Sequence, residues 1–405
     1  MPPANPFRAL VRHRNFRLFW FGQTLSLIGT WMQTMALGWL ALQLSNSPFL
    51  VGLVASATAW PIVGLSIVAG VVVDRGDKLR LVKLGQALLL AQAALLWWIT
   101  WSGHATISWL VVLAFASGLI NTLEIPARQS LMVELVGRDD LREAIALNSS
   151  GFNLARVVGP ALGAIAIARL GIAWCFALNA FSYVAVLVGL YMMDIPAWRP
   201  TVALASPLAG ALEGLRYLRD TKVVSAMMKI VTVYSVLGVP YLVLMPVVAR
   251  DRLRLGAGGY GLLLACVGVG GLGGALWLAA VGGSRQRGHI WEHGIRAYAL
   301  LLILFGLVPW PWLAYPVLLF TGFAMIVSGA LANGMLQSLV PDAMRGRLMA
   351  AYSFVVVGLS QAVGALIAGT VAEHYGDQAA ISGTAAVILA YCVYAFRKSP
   401  EMREQ

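Results

Sequence analysis

Long apolar stretches recur along this chain from end to end, and each has the length that a bilayer demands. A hydrocarbon core about 30 Å thick takes roughly 20 apolar residues as a helix. The run 107–123 supplies most of that length without a single charge. Charged residues make up 11% of the 405 positions and hydrophobic ones 60%. A water-soluble domain of that composition would have too little polar surface to cover itself. The chain therefore reads as an all-α membrane protein, with spans expected at 18–43, 48–73, 81–101, 107–126, 145–168, 173–193, 225–249, 259–281, 290–309, 313–335, 349–372 and 378–396.

Twelve spans put both termini on one side of the membrane. With the N-terminus inside, all but five of the 29 lysines and arginines fall on or near the inner side; Arg169, Arg250, Arg252 and Arg254 lie outside and Arg156 lies within a helix. That bias orients the termini toward the cytoplasm. The net charge of +12 is accordingly a topology signal, and no nucleic-acid partner is expected. The first apolar run spans and is followed by no small-residue cleavage site, so it is expected to remain as an anchor. Cys175, Cys266 and Cys392 all fall in spans and read as packing residues, with no disulfide framework, metal set or cofactor expected.

The longest polar interruption, 194–224, separates six spans from six. It carries Leu208, Leu212, Leu215 and Leu218 near helical spacing, beside Glu213, Arg216 and Arg219. It reads as a cytoplasmic linker with a helix lying at the membrane face. The expected organisation is an N-terminal bundle at 1–193, the linker at 194–224 and a C-terminal bundle at 225–405. The halves echo each other faintly. Ser117-Gly118 and Gln129-Ser130-Leu131 find counterparts in Ser328-Gly329 and Gln337-Ser338-Leu339. Two repeated six-helix bundles with pseudo-two-fold symmetry are the mark of alternating-access carriers, whose site lies between the halves near the midplane.

Specific motifs add a resemblance. Gly70-Val-Val-Val-Asp74-Arg75-Gly-Asp-Lys78-Leu-Arg80 is similar to the loop signature of the major facilitator superfamily. Ala155-Arg-Val-Val-Gly159-Pro160-Ala-Leu-Gly163 resembles the glycine-proline motif of its antiporters, with alanine replacing the first glycine. Asn15-Phe16-Arg17, Gly29-Thr30-Trp31-Met32-Gln33, Pro126-Ala127-Arg128-Gln129, Phe152-Asn153-Leu-Ala155-Arg156 and Pro341-Asp342-Ala-Met-Arg345-Gly346-Arg347 are similar to the bacterial branch of transmembrane secretion effectors that includes the enterobactin exporters. The resemblance implies the fold of that superfamily, a place in the bacterial cytoplasmic membrane and export of a small amphiphilic substrate, drug or siderophore. It also implies that protons are exchanged for that substrate. One departure stands out: drug:proton antiporters carry an arginine in the middle of the fourth helix, where this chain has Ala114 and Phe115.

Candidate residues follow. Ser117, Asn121, Glu124 and Arg128 share one face of the fourth span, a polar stripe suited either to interhelical hydrogen bonds or to a wet cavity. Gln23, Ser26, Thr30 and Gln33 repeat the pattern in the first span, beside Trp31, whose ring could stack on a flat guest. Arg156, next to Asn153, sits deep in the fifth span and needs an acid, carbonyls or an anion. Glu124 is the expected partner, as a proton-sensitive coupling pair or as a fixed ion pair. Tyr234, Tyr241, Asn333 and Gln361, with Gln337, are the second-half candidates for a substrate cavity. The resemblance further implies gating by Gly70, Asp74, Arg75 and Arg80 against Arg345 and Arg347, with Gly159 and Pro160 allowing helix movement.

Rival functions are poorly supplied. Asp139-Asp140-Leu-Arg-Glu143 has no second acidic cluster to share a metal, which argues against a membrane enzyme, and it reads better as a helix cap. No glycine is followed directly by lysine, so the phosphate-loop pattern of ATPases is absent. Twelve spans in two halves suit a monomeric carrier better than a channel.

Overall fold

The computed structural model describes residues 7–137, 139–194, 218–281 and 286–404, apart from the side chains of Ile67, Asp342 and Ala343. Helices account for nearly all of it, and no strand occurs among the described residues. In chain order they are α1 (Arg8–Arg12), α2 (Arg14–Ser45), α3 (Pro48–Ala57), α4 (Ala59–Arg75), α5 (Lys78–Trp101), α6 (Ile107–Val136), α7 (Leu141–Leu170) and α8 (Ala173–Tyr191). There follow α9 (Lys222–Val233), α10 (Tyr241–Val247), α11 (Ala257–Val281), α12 (Arg287–Leu307), α13 (Pro311–Leu339), α14 (Asp342–Ser353), α15 (Ala365–Gln378) and α16 (Thr384–Lys398). Wider π-helical turns at Tyr234–Gly238, Val248–Arg252, Phe354–Gly364 and Ala379–Gly383 join several of these into continuous rods.

Local sequence sets the helix ends. Ser47 accepts the Leu50 N–H and precedes Pro48 at the first helical position, a start signal for α3. Asp77 accepts from Arg80 N at the start of α5, and Thr106 from Trp109 N at the start of α6. Gly137 and Gly171 close α6 and α7 at φ of 69° and 94°, a region that L side chains rarely adopt.

Among the described residues, eleven segments are long and apolar enough to cross a membrane, and the last, Met344–Lys398, has 55 residues. A straight helix of that length would run about 80 Å, far beyond any bilayer. Gly376, at φ 84° and ψ 161°, breaks it into two crossings, so the eleventh and twelfth expected spans are both present. The exterior matches a lipid setting: Phe181, Leu276 and Trp312 are each about two-thirds exposed. The fourth span runs ten residues past its expected end. Pro126 costs one backbone hydrogen bond without ending the helix, which continues to Val136.

Contacts group the chain into two units, 1–40 with 64–204 and 41–63 with 205–405. Unit 1 centres on Phe16, Phe19, Val82, Leu131, Ala144 and Leu190. In unit 2, α11 and α13 approach so closely that a Cβ on Gly270 would stand 1.8 Å from the Leu319 carbonyl oxygen, and one on Gly322 2.1 Å from that of Val267. Residues 41–63, sequentially part of the first six spans, pack with unit 2 because Gly52 lets α3 lie against Ala365 and Gly369 of α15. The expected linker helix lies mostly in 195–217, outside the described residues.

Candidate functional site

Unit 1 holds a buried polar cluster built on α5 and α6. Glu124 of α6 and Gln86 of α5 are each 2% exposed. Gln86 Nε2 donates to Glu124 Oε1 at 2.7 Å. Arg128, one turn along α6, donates from Nε to both carboxylate oxygens at 3.1 and 3.2 Å. Glycine makes the room: a Cβ at Gly85 would stand 2.8 Å from Glu124 Cγ. The structure thus gives Glu124 partners on its own helix and on α5.

Arg156 is half-buried on α7. With α6 ending at Val136, Glu124 lies 12 residues before the α6–α7 turn, and Arg156 lies 15 residues past Leu141. At 1.5 Å per residue the two levels differ by roughly 5 Å along antiparallel helices. Asn153 spends its amide on the Ser149 carbonyl, 2.9 Å away, and Ser117 its hydroxyl on that of Ala114 at 2.8 Å; Asn121 is half-buried.

The first-span stripe points into the interior of unit 1. Gln23 and Ser26 are buried. Thr30 donates to the Ser26 carbonyl at 2.9 Å and lies 3.3 Å from the Tyr183 hydroxyl of α8. Gln33 donates to Gln92 of α5 at 3.3 Å and accepts from Asn179 of α8 at 2.8 Å. Asn179, Gln92 and Gln86 are the buried residues that sequence reasoning missed. Their only advance signal was a polar amide in an apolar run. Trp31 meets Phe152 edge-on at 5.7 Å. Gly159 sits against it, with a would-be Cβ 2.6 Å from Trp31 Cβ, and Pro160 is buried beside it.

In unit 2, Tyr234 donates to the Met325 carbonyl at 2.9 Å and Tyr241 packs edge-on to Phe305 at 6.3 Å. Asn333 accepts from Gln337 at 2.5 Å, and Gln361 is exposed. Arg252 and Asp377 form an ion pair at 3.3 Å that ties the end of the seventh span to the Gly376 turn.

Among the gating candidates, Asp74 and Arg75 are exposed and Gly70 faces open space. Arg80 pairs with Asp77 at 3.2 Å, and Lys78 with Glu134 of α6 at 3.0 Å. Arg345 donates to the Gln337 carbonyl at 3.2 Å, and Arg347 lies 3.1 Å from Met344 Sδ. Asp139 or Asp140 was expected at the start of α7; Asp140 holds that position, but its carboxylate makes no cap bond. It gathers the N-terminal segment instead: His13 at 2.8 Å, Arg8 at 3.4 Å and Arg12 at 3.5 Å. The His13 hydrogen bond, then the two guanidinium charges, hold its carboxyl below the usual range against the opposing effect of burial. No cluster of three metal-ligating side chains occurs among the described residues.

Comparison with known proteins agrees with this architecture. A family profile described as transmembrane secretion effector matches residues 4–405. The enterobactin exporter EntS of Shigella flexneri is 26% identical over 347 residues, covering 84% of this chain and 80% of that protein. The EntS of Shigella boydii serotype 4 is 27% identical over 350 residues, covering 84% and 81%. Among solved structures, the peptide transporter POT superposes with a TM-score of 0.78 at 14% identity, covering 96% of this chain and 95% of that one. The D-xylose-proton symporter gives 0.72 at 14% identity, covering 96% and 99%. At such identities the structural likeness is one of fold, and the family match carries the assignment. The chain belongs to the transmembrane secretion effector family of the major facilitator superfamily, and it is a multi-pass membrane transporter.

Proposed function

We propose that this protein exports a small amphiphilic molecule across the bacterial cytoplasmic membrane by alternating access, exchanging it for protons, with both termini cytoplasmic. The direction follows the exporters that it resembles. The observation that carries the coupling reading is the carboxylate of Glu124, 2% exposed and held by Arg128 and Gln86. A carboxylate buried in a membrane helix is costly unless paired, and such groups commonly mark proton pathways. A proton arriving at Glu124 neutralises it and frees the Arg128 guanidinium, whose charge must then find another partner. Loss of the proton restores the pair. Arg156, at nearly the same level, is the second cation that this exchange repositions.

Asp74 and the Arg345–Arg347 stretch are proposed as a cytoplasmic latch, since an acid is favoured at a helix N-terminus. A few polar groups in an aromatic-rich interior suit an amphiphile, whose rings bind by area while donors orient it. The test is gradient-driven transport in proteoliposomes with wild type and Glu124→Gln, scored with substrate exchange at equal pH on both sides. Uphill export should collapse in the variant while exchange survives. Full uphill export by the variant ends the coupling role.

A further inference from the structure

We propose that α1, with the start of α2, is a docking surface for anionic phospholipid in the leaflet that meets the N-terminus. The claim stands apart from the cargo and from the direction of transport.

Helix length sets the depth. α8 has 19 residues, about 28 Å at 1.5 Å per residue, which is close to the thickness of a hydrocarbon core. Its two ends therefore mark the edges of that core. Tyr191 ends it, with Lys83 Nζ 4.4 Å from the ring centroid, a pairing suited to the membrane interface. Just past this edge, Arg14 donates to the Met192 carbonyl at 3.3 Å and Asn15 to that of Asp194 at 2.7 Å. α1 ends two residues before Arg14 and has five residues, about 8 Å of helix. The headgroup layer is roughly 5–8 Å deep on each side, so α1 lies mostly within it at any tilt.

The sides of α1 match that layer. Ala9 and Leu10 are buried in the core of unit 1. Phe7 and Val11 are 57% and 74% exposed, and the Val11 N–H donates to the Phe7 carbonyl at 3.1 Å, which holds the two in register. Arg8 and Arg12 are each more than half exposed and stand about 100° further round the helix. One row offers a ring and a valine to the tops of acyl chains, and the next offers guanidinium groups to phosphates, the arrangement of an interfacial helix.

Charge selects the lipid. Residues 7–17 carry Arg8, Arg12, Arg14 and Arg17 and no acid. Asp140, turned inward at 3% exposed, is shared by His13, Arg8 and Arg12. One carboxylate cannot balance two guanidinium groups. Arg14 and Arg17 donate to carbonyls, of Met192 and Leu10, which neutralise nothing. Asp139, Glu143 and Asp194 reduce the surplus and Arg142 adds to it, so it stays positive. A zwitterionic headgroup brings no net counter-charge, and an anionic one does.

The test uses the full chain with its three native cysteines replaced and one cysteine at Val11 carrying a bimane fluorophore. The bilayer is an equal mixture of phosphatidylcholine and phosphatidylglycerol, with bromine on the acyl chains of one or the other to quench the fluorophore on contact. Brominated phosphatidylglycerol should quench about fivefold more strongly, the worth of roughly one basic side chain at a charged surface. Arg8→Gln together with Arg12→Gln should erase most of that preference. Asp140→Asn also loosens α1 from unit 1 but keeps both arginines, so the preference should persist there. Equal quenching by the two lipids in wild type, quenching by neither, or an undiminished preference in the double arginine variant overturns the surface. Its loss in Asp140→Asn does so too, by tying it to packing on unit 1. Loss on adding inorganic phosphate at fixed ionic strength would assign the charges to a free anion, and the lipid claim would fall.

Discussion

Arg128 and Glu124 stand one turn apart on α6, and the Nε–H of Arg128 is shared between both carboxylate oxygens at 3.1 and 3.2 Å. Glu124 is 2% exposed at its side chain and Arg128 16%, so the pair is screened little by solvent. Removing one partner leaves the other charge buried and alone, which costs about 3–5 kcal/mol, whereas removing both costs far less. Arg128→Gln should therefore lower the melting temperature more than Glu124→Gln/Arg128→Gln does. A double variant less stable than the single would show that packing, and not the ion pair, governs this region.

A second consequence concerns helix contacts. Gly270 of α11 would place a Cβ 1.8 Å from a backbone carbonyl oxygen of α13, which no rotamer change can relieve. Gly64, by contrast, has nothing within 4 Å of its would-be Cβ. Gly270→Ala should destabilise by about 1–3 kcal/mol or more, the range for overpacking, while Gly64→Ala should be neutral within about 0.5 kcal/mol. Thermal melts of the two variants in one detergent make the comparison.

The pattern of spans was legible in the sequence because a bilayer imposes length and polarity on each segment independently. That Glu124 and Arg128 share a helix face was legible too, since an i, i+4 spacing needs no tertiary knowledge, but the expected partner of Glu124 was Arg156, whereas the structure gives it Arg128 and Gln86. What the sequence hid was crossing information. Gln86 and Gly85 matter only because α5 faces α6, and Asn179 and Gln92 only because Gln33 lies between them. The first-span stripe suited either interhelical hydrogen bonds or a cavity, and the structure spends the Gln33 amide on Gln92 and Asn179 inside unit 1.

Acid should detach the N-terminal helix. Asp140 has its carboxyl lowered below the ordinary 3.8, first by the His13 hydrogen bond and then by Arg8 and Arg12. A carboxyl lowered in the folded state contributes stability above its unfolded pKa, and that contribution is lost as pH falls through the folded value. The docking of α1 should hold at neutral pH and weaken as pH drops below about 3.8. Asp140→Asn should weaken it at neutral pH, and its difference from wild type should close as pH drops below about 3.8. Proteolysis at Arg8 and Arg12, followed by mass, reads the release; cleavage independent of both pH and the substitution would count against this anchor.

The segment 41–63 is held in unit 2 by a capped helix start. Glu373 of α15 accepts the Ser47 hydroxyl at 2.8 Å and the Phe49 N–H at 3.1 Å, placing a carboxylate at the N-terminus of α3, where the dipole favours it. Arg250 adds a bond of 2.7 Å to Asn46 Oδ1. Around this site the ionisable groups are Arg250, Asp251 and Arg252 from the seventh span and His374 and Asp377 on α15; α3 itself carries none. If alternating access requires this segment to come away, weakening the cap should raise its open population. Ser47→Ala removes a cap worth about 1 kcal/mol, or roughly a fivefold shift. Glu373→Ala should do at least as much, and Glu373→Gln less, because the amide oxygen still accepts. The reporter is a cysteine at Val51, 2% exposed while α3 stays packed, in a chain without its three native cysteines. Its labelling rate by an impermeant maleimide should rise in the order Glu373→Gln, Ser47→Ala, Glu373→Ala. Equal rates in all three and in the parent would mean that the glycine contacts at Gly52 and Gly369 hold the segment without help from the cap.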